Sequence, residues 1–407
     1  MDDASYAFLP RLGLSARYVR LSDFTPSPLF PFAIAATGAP TGTVSPPTVS
    51  TGPVSIAPIL DSYALDATLT LPVSDYVLRL ARGLQAAKHG RDAVEWDSVV
   101  AAARARLAGK ISFYEWIRAN ASVDAAQRSL AEARAHLADV KNQFGQGNTS
   151  RADVLRVDSA AASAEAALAE AGAQRATAEA RLRTLLHLPE AEPLSTRDGV
   201  SAPLGLIAQN EAEWLSEAYR TRAELHGLDA AESSARAQAG VARAAYVPTA
   251  GVFANATYAN PNPRYFPPEA AWHATWAVGV SVTWTPTDIP GALAGATEAE
   301  ARGDALAAQR NALRDTLAVE VVQHLESVLG AEAKIAATEK QLESASEAYR
   351  VTRSLYANAR ATTSNVLDAE ADLARARLAW VNARVDVRVA RARLEHAAGR
   401  DQSAAAP

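Results

Sequence analysis

Between Ala274 and Trp284 apolar and polar residues alternate without a lapse. Trp276, Val278, Val280, Val282 and Trp284 fall on one side, and Thr275, Ala277, Gly279, Ser281 and Thr283 on the other. A period of two is that of an extended strand, whose successive side chains point to opposite faces. The pattern recurs at Leu65, Ala67, Leu69 and Leu71, set against Asp66, Thr68 and Thr70. It recurs earlier at Phe8, Pro10, Leu12, Leu14, Ala16 and Tyr18, set against Arg11, Gly13, Ser15 and Arg17. A fourth, weaker strand is expected from Tyr246 to Tyr258, with Val252, Ala254 and Ala256 on its apolar side. Aromatic residues stand at both ends of these stretches. Phe8, Tyr76, Tyr246 and Trp284 make one level, and Tyr18, Tyr63, Tyr258 and Trp276 the other. Strands of roughly ten residues with an apolar outer face and two aromatic girdles are the pattern of a transmembrane β-barrel.

Elsewhere the period changes to spacings of three and four. Trp116, Ala119, Val123, Ala126, Leu130, Ala133, Leu137, Val140 and Phe144 form one seam. Val154, Val157, Ala161, Ala164, Leu168, Ala171, Ala178 and Leu182 form a second, with Arg175 as a lapse. Such a narrow stripe buries itself against a neighbouring helix, as in coiled coils. Adding 212 to each number reproduces the first seam as Val328, Ala331, Ile335, Thr338, Leu342, Ala345, Tyr349, Thr352 and Tyr356. The second reappears more cleanly as Val366, Ala369, Leu373, Ala376, Trp380, Ala383, Val387, Ala390 and Leu394. The prolines respect the same duplication, since residues 73–188 and 291–406 contain none. Proline breaks helix interiors at a cost of about 3 kcal/mol, so both blocks are free to be helical.

These periods predict two internal repeats. Repeat 1 covers 1–186, with a strand hairpin at 6–72 and a helical hairpin at 76–186 turning at 145–152. A linker follows at 187–211. Repeat 2 covers 212–398, with a helix at 212–245, a strand hairpin at 246–284 and a helical hairpin at 291–398 turning at 357–364. A tail occupies 399–407. A descending helix of about 65 residues would reach on the order of 100 Å. Four strands are too few to close a barrel, because the smallest single-chain barrels have about eight. An open edge is not tolerated in hydrocarbon, so the chain is expected to assemble with copies of itself.

Composition agrees with packed helices more than with a compact globule. Apolar residues make up 49%, much of it alanine, while aromatics are only 6%. Alanine is the best helix former and lets backbones approach closely. The 40 basic and 45 acidic residues are interspersed, which gives no footprint for nucleic acid. With no cysteine there is no disulfide, thiolate chemistry or cysteine-ligated zinc. The seven histidines are scattered without a metal-binding pair, and no catalytic or cofactor constellation emerges, so an enzyme is not expected. Gly145-Gln146-Gly147 lacks the strand and further glycine of a nucleotide fingerprint and reads as a turn. Asn148-Thr149-Ser150 reads as the cap of the returning helix. Arg17 and Asp66 read as solvated charges on the lumen side.

A duplicated unit of strand hairpin, very long helix, turn and returning helix resembles the TolC family of outer-membrane efflux proteins. The residues carrying the resemblance are Tyr6-Ala7-Phe8-Leu9-Pro10, Tyr246-Val247-Pro248, the stretch Trp276 to Trp284, and the turns Phe144 to Leu155 and Tyr356 to Leu367. It implies a mixed α/β membrane protein. Three chains would form a 12-stranded barrel continuous with an antiparallel α-helical tunnel, acting as a passive export conduit in a tripartite efflux or type I secretion system. It implies as partners outer-membrane lipid, a periplasmic adaptor and an inner-membrane pump. Residues 19–62 and 259–273 would be external loops. The matching gate residues are Asp153, Tyr356, Arg360, Asn365 and Asp368. The tips for adaptor docking are Gly145, Gly147, Asn148, Thr149, Ser150, Ala359, Thr362 and Thr363. Departures include Asn365 where aspartate is common and Ala359 where glycine is common. A further departure is the start, Met1-Asp2-Asp3-Ala4, which is not a signal peptide, and an upstream helix and signal peptide are therefore expected to precede it. Two other readings stay open from the residues alone. A periplasmic adaptor would carry one hairpin and no duplicated tryptophan-bracketed strands, and a soluble coiled-coil scaffold would lack the strands altogether.

Overall fold

The computed structural model describes residues 9–23, 31–35, 49–53, 58–189, 194–195, 204–205 and 207–402. The chain divides into two compact units, one of residues 1–90 and 233–303, the other of 91–232 and 304–407.

The first unit is built on a four-stranded antiparallel sheet. Its strands are β1 (Arg11–Arg20), β4 (Asp61–Leu71), β5 (Thr249–Asn260) and β6 (His273–Thr283), in the order β1-β4-β5-β6. β1 pairs antiparallel with β4 and β5 with β6, and β4 pairs with β5 to join them, with Leu65 opposite Tyr258 and Ala67 opposite Ala256. A separate two-stranded ribbon, β2 (Pro31–Ala35) with β3 (Val49–Pro53), lies inside the segment read from sequence as loop. Proline density argues against a strand there, yet Pro31 and Pro53 pair at the ribbon's end, where a missing ladder N–H costs least. After Leu71 a helical lead-in of Val73–Asp75 and Tyr76–Leu80 enters the first long helix.

Four helices carry the second unit's hairpins: α1 (Ala81–Gly145) with α2 (Arg151–Leu186), and α5 (Ile289–Ala357) with α6 (Thr363–Ala397). Among the described residues the proline-free blocks are helical over 73–145 and 151–186, and over 291–357 and 363–397. The seam expected on α6 is buried along its length, with Val366, Ala369, Leu373, Ala376, Ala383, Val387, Ala390 and Leu394 inside and Trp380 half-buried. Leu373 and Leu394 are fully enclosed, each contributing about 1.5–3 kcal/mol by burial. On α2 the lapse at Arg175 is exposed, while Val157, Ala161, Ala171 and Leu182 are buried.

The single helix expected at 212–245 is two, α3 (Glu211–Thr221) and α4 (Ala223–Arg243). Arg222 adopts an extended conformation between them. Its buried guanidinium bonds Glu224 and the carbonyl oxygens of His396 and Ala397. Gln402 Oε1 accepts the Ala223 N–H at 2.6 Å, capping α4 from outside the helix. The break is therefore imposed by residues far along the chain, invisible to local periodicity.

Candidate functional site

Two regions carry the residues singled out by sequence. The first is the sheet. Register puts Leu12, Leu14, Ala16 and Tyr18 of β1 on one face with Tyr63, Leu65, Ala67, Leu69 and Leu71 of β4. The same face continues through Val252, Ala254, Ala256 and Tyr258 of β5 to Val280, Val278, Trp276 and Ala274 of β6. This surface is open: Leu14 is 76% exposed, Trp276 72%, Val280 73% and Val282 68%. The opposite face carries Gly13, Ser15, Thr68, Thr70, Asn255, Thr257, Gly279 and Ser281, with Arg11, Arg17 and Asp66 as its charges. Asp66 is bound there, accepting the Thr257 hydroxyl at 2.6 Å. Phe253 breaks the rule, lying on the polar face across Gly279. A Cβ at Gly279 would come within 2.8 Å of its ring.

The aromatic levels are partly assembled. Tyr18 and Tyr63 have ring centroids 5.0 Å apart, and Trp272 stacks on Tyr258 at 4.8 Å and meets Tyr63 at 6.1 Å. Trp272, which escapes the strand pattern because it precedes β6, thus links Tyr63 and Tyr258. Trp276 and Trp284 are exposed. Tyr76 and Tyr246 stand on helical turns beyond the strand ends. Phe8 lies outside the described residues.

The second region is the pair of helical turns. Gly147 (φ 80°) and Ala359 (φ 57°) are both left-handed. Asn148 N–H bonds Gln143 O at 2.9 Å and Gly147 N–H bonds Phe144 O at 2.9 Å. The second turn repeats this with Arg360 on Leu355 at 2.8 Å and Ala359 on Tyr356 at 2.9 Å. Each partner is 212 residues from its counterpart, and each pattern is that of a Schellman C-cap. Left-handed alanine costs about 1–2 kcal/mol, so Ala359→Gly is expected to stabilise the second turn by about 1 kcal/mol. Native-state hydrogen exchange of the Arg360 amide measures it, and unchanged protection would refute the strain.

Both returning helices are capped. Ser150 accepts the Asp153 N–H at 3.1 Å, and its hydroxyl donates to Asp153 Oδ2 at 2.6 Å. The Ser150 hydroxyl bond holds the Asp153 carboxyl below its ordinary value. At α6 the capping box joins Thr362 and Asn365, with Thr362 N–H on Asn365 Oδ1 at 2.9 Å. Asn365 and Asp153 therefore occupy the same cap position. Tyr356 donates to Gln143 Oε1 at 2.8 Å. A polar cleft of about 1150 Å³ brings Asp153 and Tyr356 together with Gly147, Asn148, Thr149, Ser150, Ala359, Thr362 and Thr363. Gly145, Arg360, Asn365 and Asp368 do not line it. Arg156 does, donating to Ser364 at 2.9 Å, a link between hairpins that no local pattern reveals.

Among the described residues no three His, Cys, Asp or Glu side chains group as a metal site. No described helix is long and apolar enough to cross a membrane.

Residues 214–400 match the model of the outer membrane efflux protein family. No curated protein sequence matches the chain. Among solved structures the chain is similar to the outer membrane protein VceC of Vibrio cholerae, with a TM-score of 0.71 and 20% identity over 98% of this chain and 89% of that one. It is similar to the open state of the Neisseria gonorrhoeae MtrE outer membrane channel, at 0.74 and 20% over 98% and 82%. For the Campylobacter jejuni CmeC outer membrane channel the values are 0.72 and 15% over 98% and 79%. The four-stranded sheet and paired helical hairpins are thus a fold that this chain shares with those outer membrane channel structures. The family match is confined to the second half of the chain, whereas the likeness in fold to these channel structures extends over 98% of it.

Proposed function

We propose that three copies of this chain close a 12-stranded barrel in the outer membrane and serve as the passive exit conduit of a tripartite efflux or type I secretion system. The observation that carries this reading is the sheet itself. Its apolar face is exposed across all four strands, and β1 and β6 are its two edges. Hydrocarbon would cover the face, and only another chain's strands could satisfy the edges. The chain then reads as two copies of one strand-and-hairpin unit, 1–186 and 212–398, joined by 187–211. Native mass spectrometry of the detergent-purified protein is expected to find a homotrimer, and a stable folded monomer would overturn the assembly.

The tips would dock a periplasmic adaptor supplied by an inner-membrane pump, through Gly145, Gly147, Asn148, Thr149, Ser150, Ala359, Thr362 and Thr363. Asp153, Tyr356 and Arg360 would hold the mouth shut, with Asn365 and Asp368 lining the constriction. Exposed polar links are worth at most about 1 kcal/mol each, so a few symmetric copies suffice for a closed state that an adaptor can open. Asp153→Ala with Tyr356→Phe is expected to raise single-channel conductance in planar bilayers, and Asp368→Ala to weaken block by divalent cations. Parental behaviour in both would return these residues to plain capping.

A further inference from the structure

Glu132, His136, Asp139 and Gln143 follow one another on α1 at spacings of four, three and four, so they share a face. Each meets the second hairpin. Glu132 accepts two N–H groups of Arg377 at 2.7 and 2.8 Å. Asp139 accepts from Arg353 at 3.4 Å, and Gln143 from the Tyr356 hydroxyl at 2.8 Å. Between them His136 Nδ1 lies 3.2 Å from Glu370 Oε1 and 3.4 Å from Oε2, the second contact having hydrogen-bond geometry.

That rung is the buried one. The His136 side chain is 4% exposed and that of Glu370 13%. The imidazole packs edge-on against Tyr356, with centroids 5.5 Å apart. His136 Nε2 and Glu370 Oε1 are buried without hydrogen-bond partners. The cations on either side are committed, Arg377 to Glu132 and Arg353 to Asp139. On α2, Asp158 and Glu165 pair with Lys141 and Arg134 of α1. Burial pushes the Tyr349 hydroxyl up, so it stays neutral. A buried carboxylate is costly unless an opposite charge faces it. The group facing Glu370 is His136, and histidine is the side-chain type suited to switching charge near neutral pH.

We propose that His136 and Glu370 form a proton-operated latch between the two helical hairpins. With His136 protonated, the pair is complete and holds α1 against α5 and α6. When the proton leaves, Glu370 remains a buried carboxylate with one neutral N–H donor, and the seam loosens toward the turns. The neighbouring rungs are two carboxylate–guanidinium pairs and one neutral hydrogen bond, and this rung is the one that contains an imidazole. The consequence for transport rests on the channel reading above, while the latch itself does not.

The chain has no cysteine, which permits a direct test. Nitroxide labels at Gln146→Cys and Asn358→Cys, one on each turn, report the separation of the hairpins by pulsed electron resonance. The measurement uses the full chain in detergent, diluted with unlabelled protein. The distance is expected to lengthen between about pH 5.5 and 8 with a single-proton midpoint in the imidazole range. His136→Gln and the conservative Glu370→Gln should each remove that dependence, and bilayer conductance should rise with pH in parallel. A distance unchanged across the range, or a shift that persists in His136→Gln, would overturn the latch. A titrating distance with no conductance at any pH would support the latch and sink the channel reading instead.

Discussion

Arginine in place of Val280 is expected to abolish insertion of the assembled sheet, whereas arginine at Ser281 leaves it intact. Val280 sits mid-strand on β6, opposite Val252, and is 73% exposed on the apolar face. If that face meets hydrocarbon, a charge there costs about 2–4 kcal/mol per chain near the midplane. Assembly in copies multiplies the penalty. Ser281 is one residue on, opposite Gly251, and points to the polar face, where a guanidinium stays hydrated. Heat-modifiable mobility of the outer-membrane fraction reads the folded, inserted population for each variant. Equal insertion of the two would refute the lipid-facing assignment and with it the barrel.

The strand faces are legible in the sequence because alternation is a local property that register merely extends across neighbours. The α6 seam is legible for the same reason, its spacings of three and four surviving over nine positions. Phe253 is not, since its place on the polar face depends on the space Gly279 leaves on the next strand. Asp153 and Asn365 are legible as tip residues. Their observed work, holding helix N-termini, follows from bonds to Ser150 and Thr362 within the same turns. His136 reads as one of several scattered histidines because its partner lies 234 residues away. The break at Arg222 escapes similarly, because its cause lies at the other end of the chain.

Gly399→Ala is expected to destabilise the second unit by about 2–4 kcal/mol, combining left-handed strain with overpacking. Gly399 ends α6 at φ 75°, as His187 ends α2 at φ 54° one repeat length earlier. His187 tolerates the conformation at the protein's surface. At Gly399 an added Cβ would lie 2.5 Å from Thr221 Oγ1, 3.2 Å from the Thr221 carbonyl carbon and 3.3 Å from the Arg222 nitrogen. Two of those three atoms are backbone and cannot rotate away. The glycine holds together a clamp in which Thr221 donates to Ala398 O at 2.7 Å and Arg400 lies 3.9 Å over the Trp214 ring. The same clamp presents Gln402 to the Ala223 N–H, the bond that starts α4. Displacing it should therefore raise hydrogen exchange at Ala223 as well as lower resistance to denaturant. Thr221→Ala in the same chain removes only the hydroxyl contact, so recovery should be partial. A Gly399→Ala protein within about 0.5 kcal/mol of the parent, with Ala223 still protected, would mean that the residues after α6 do not pack against the α3–α4 junction.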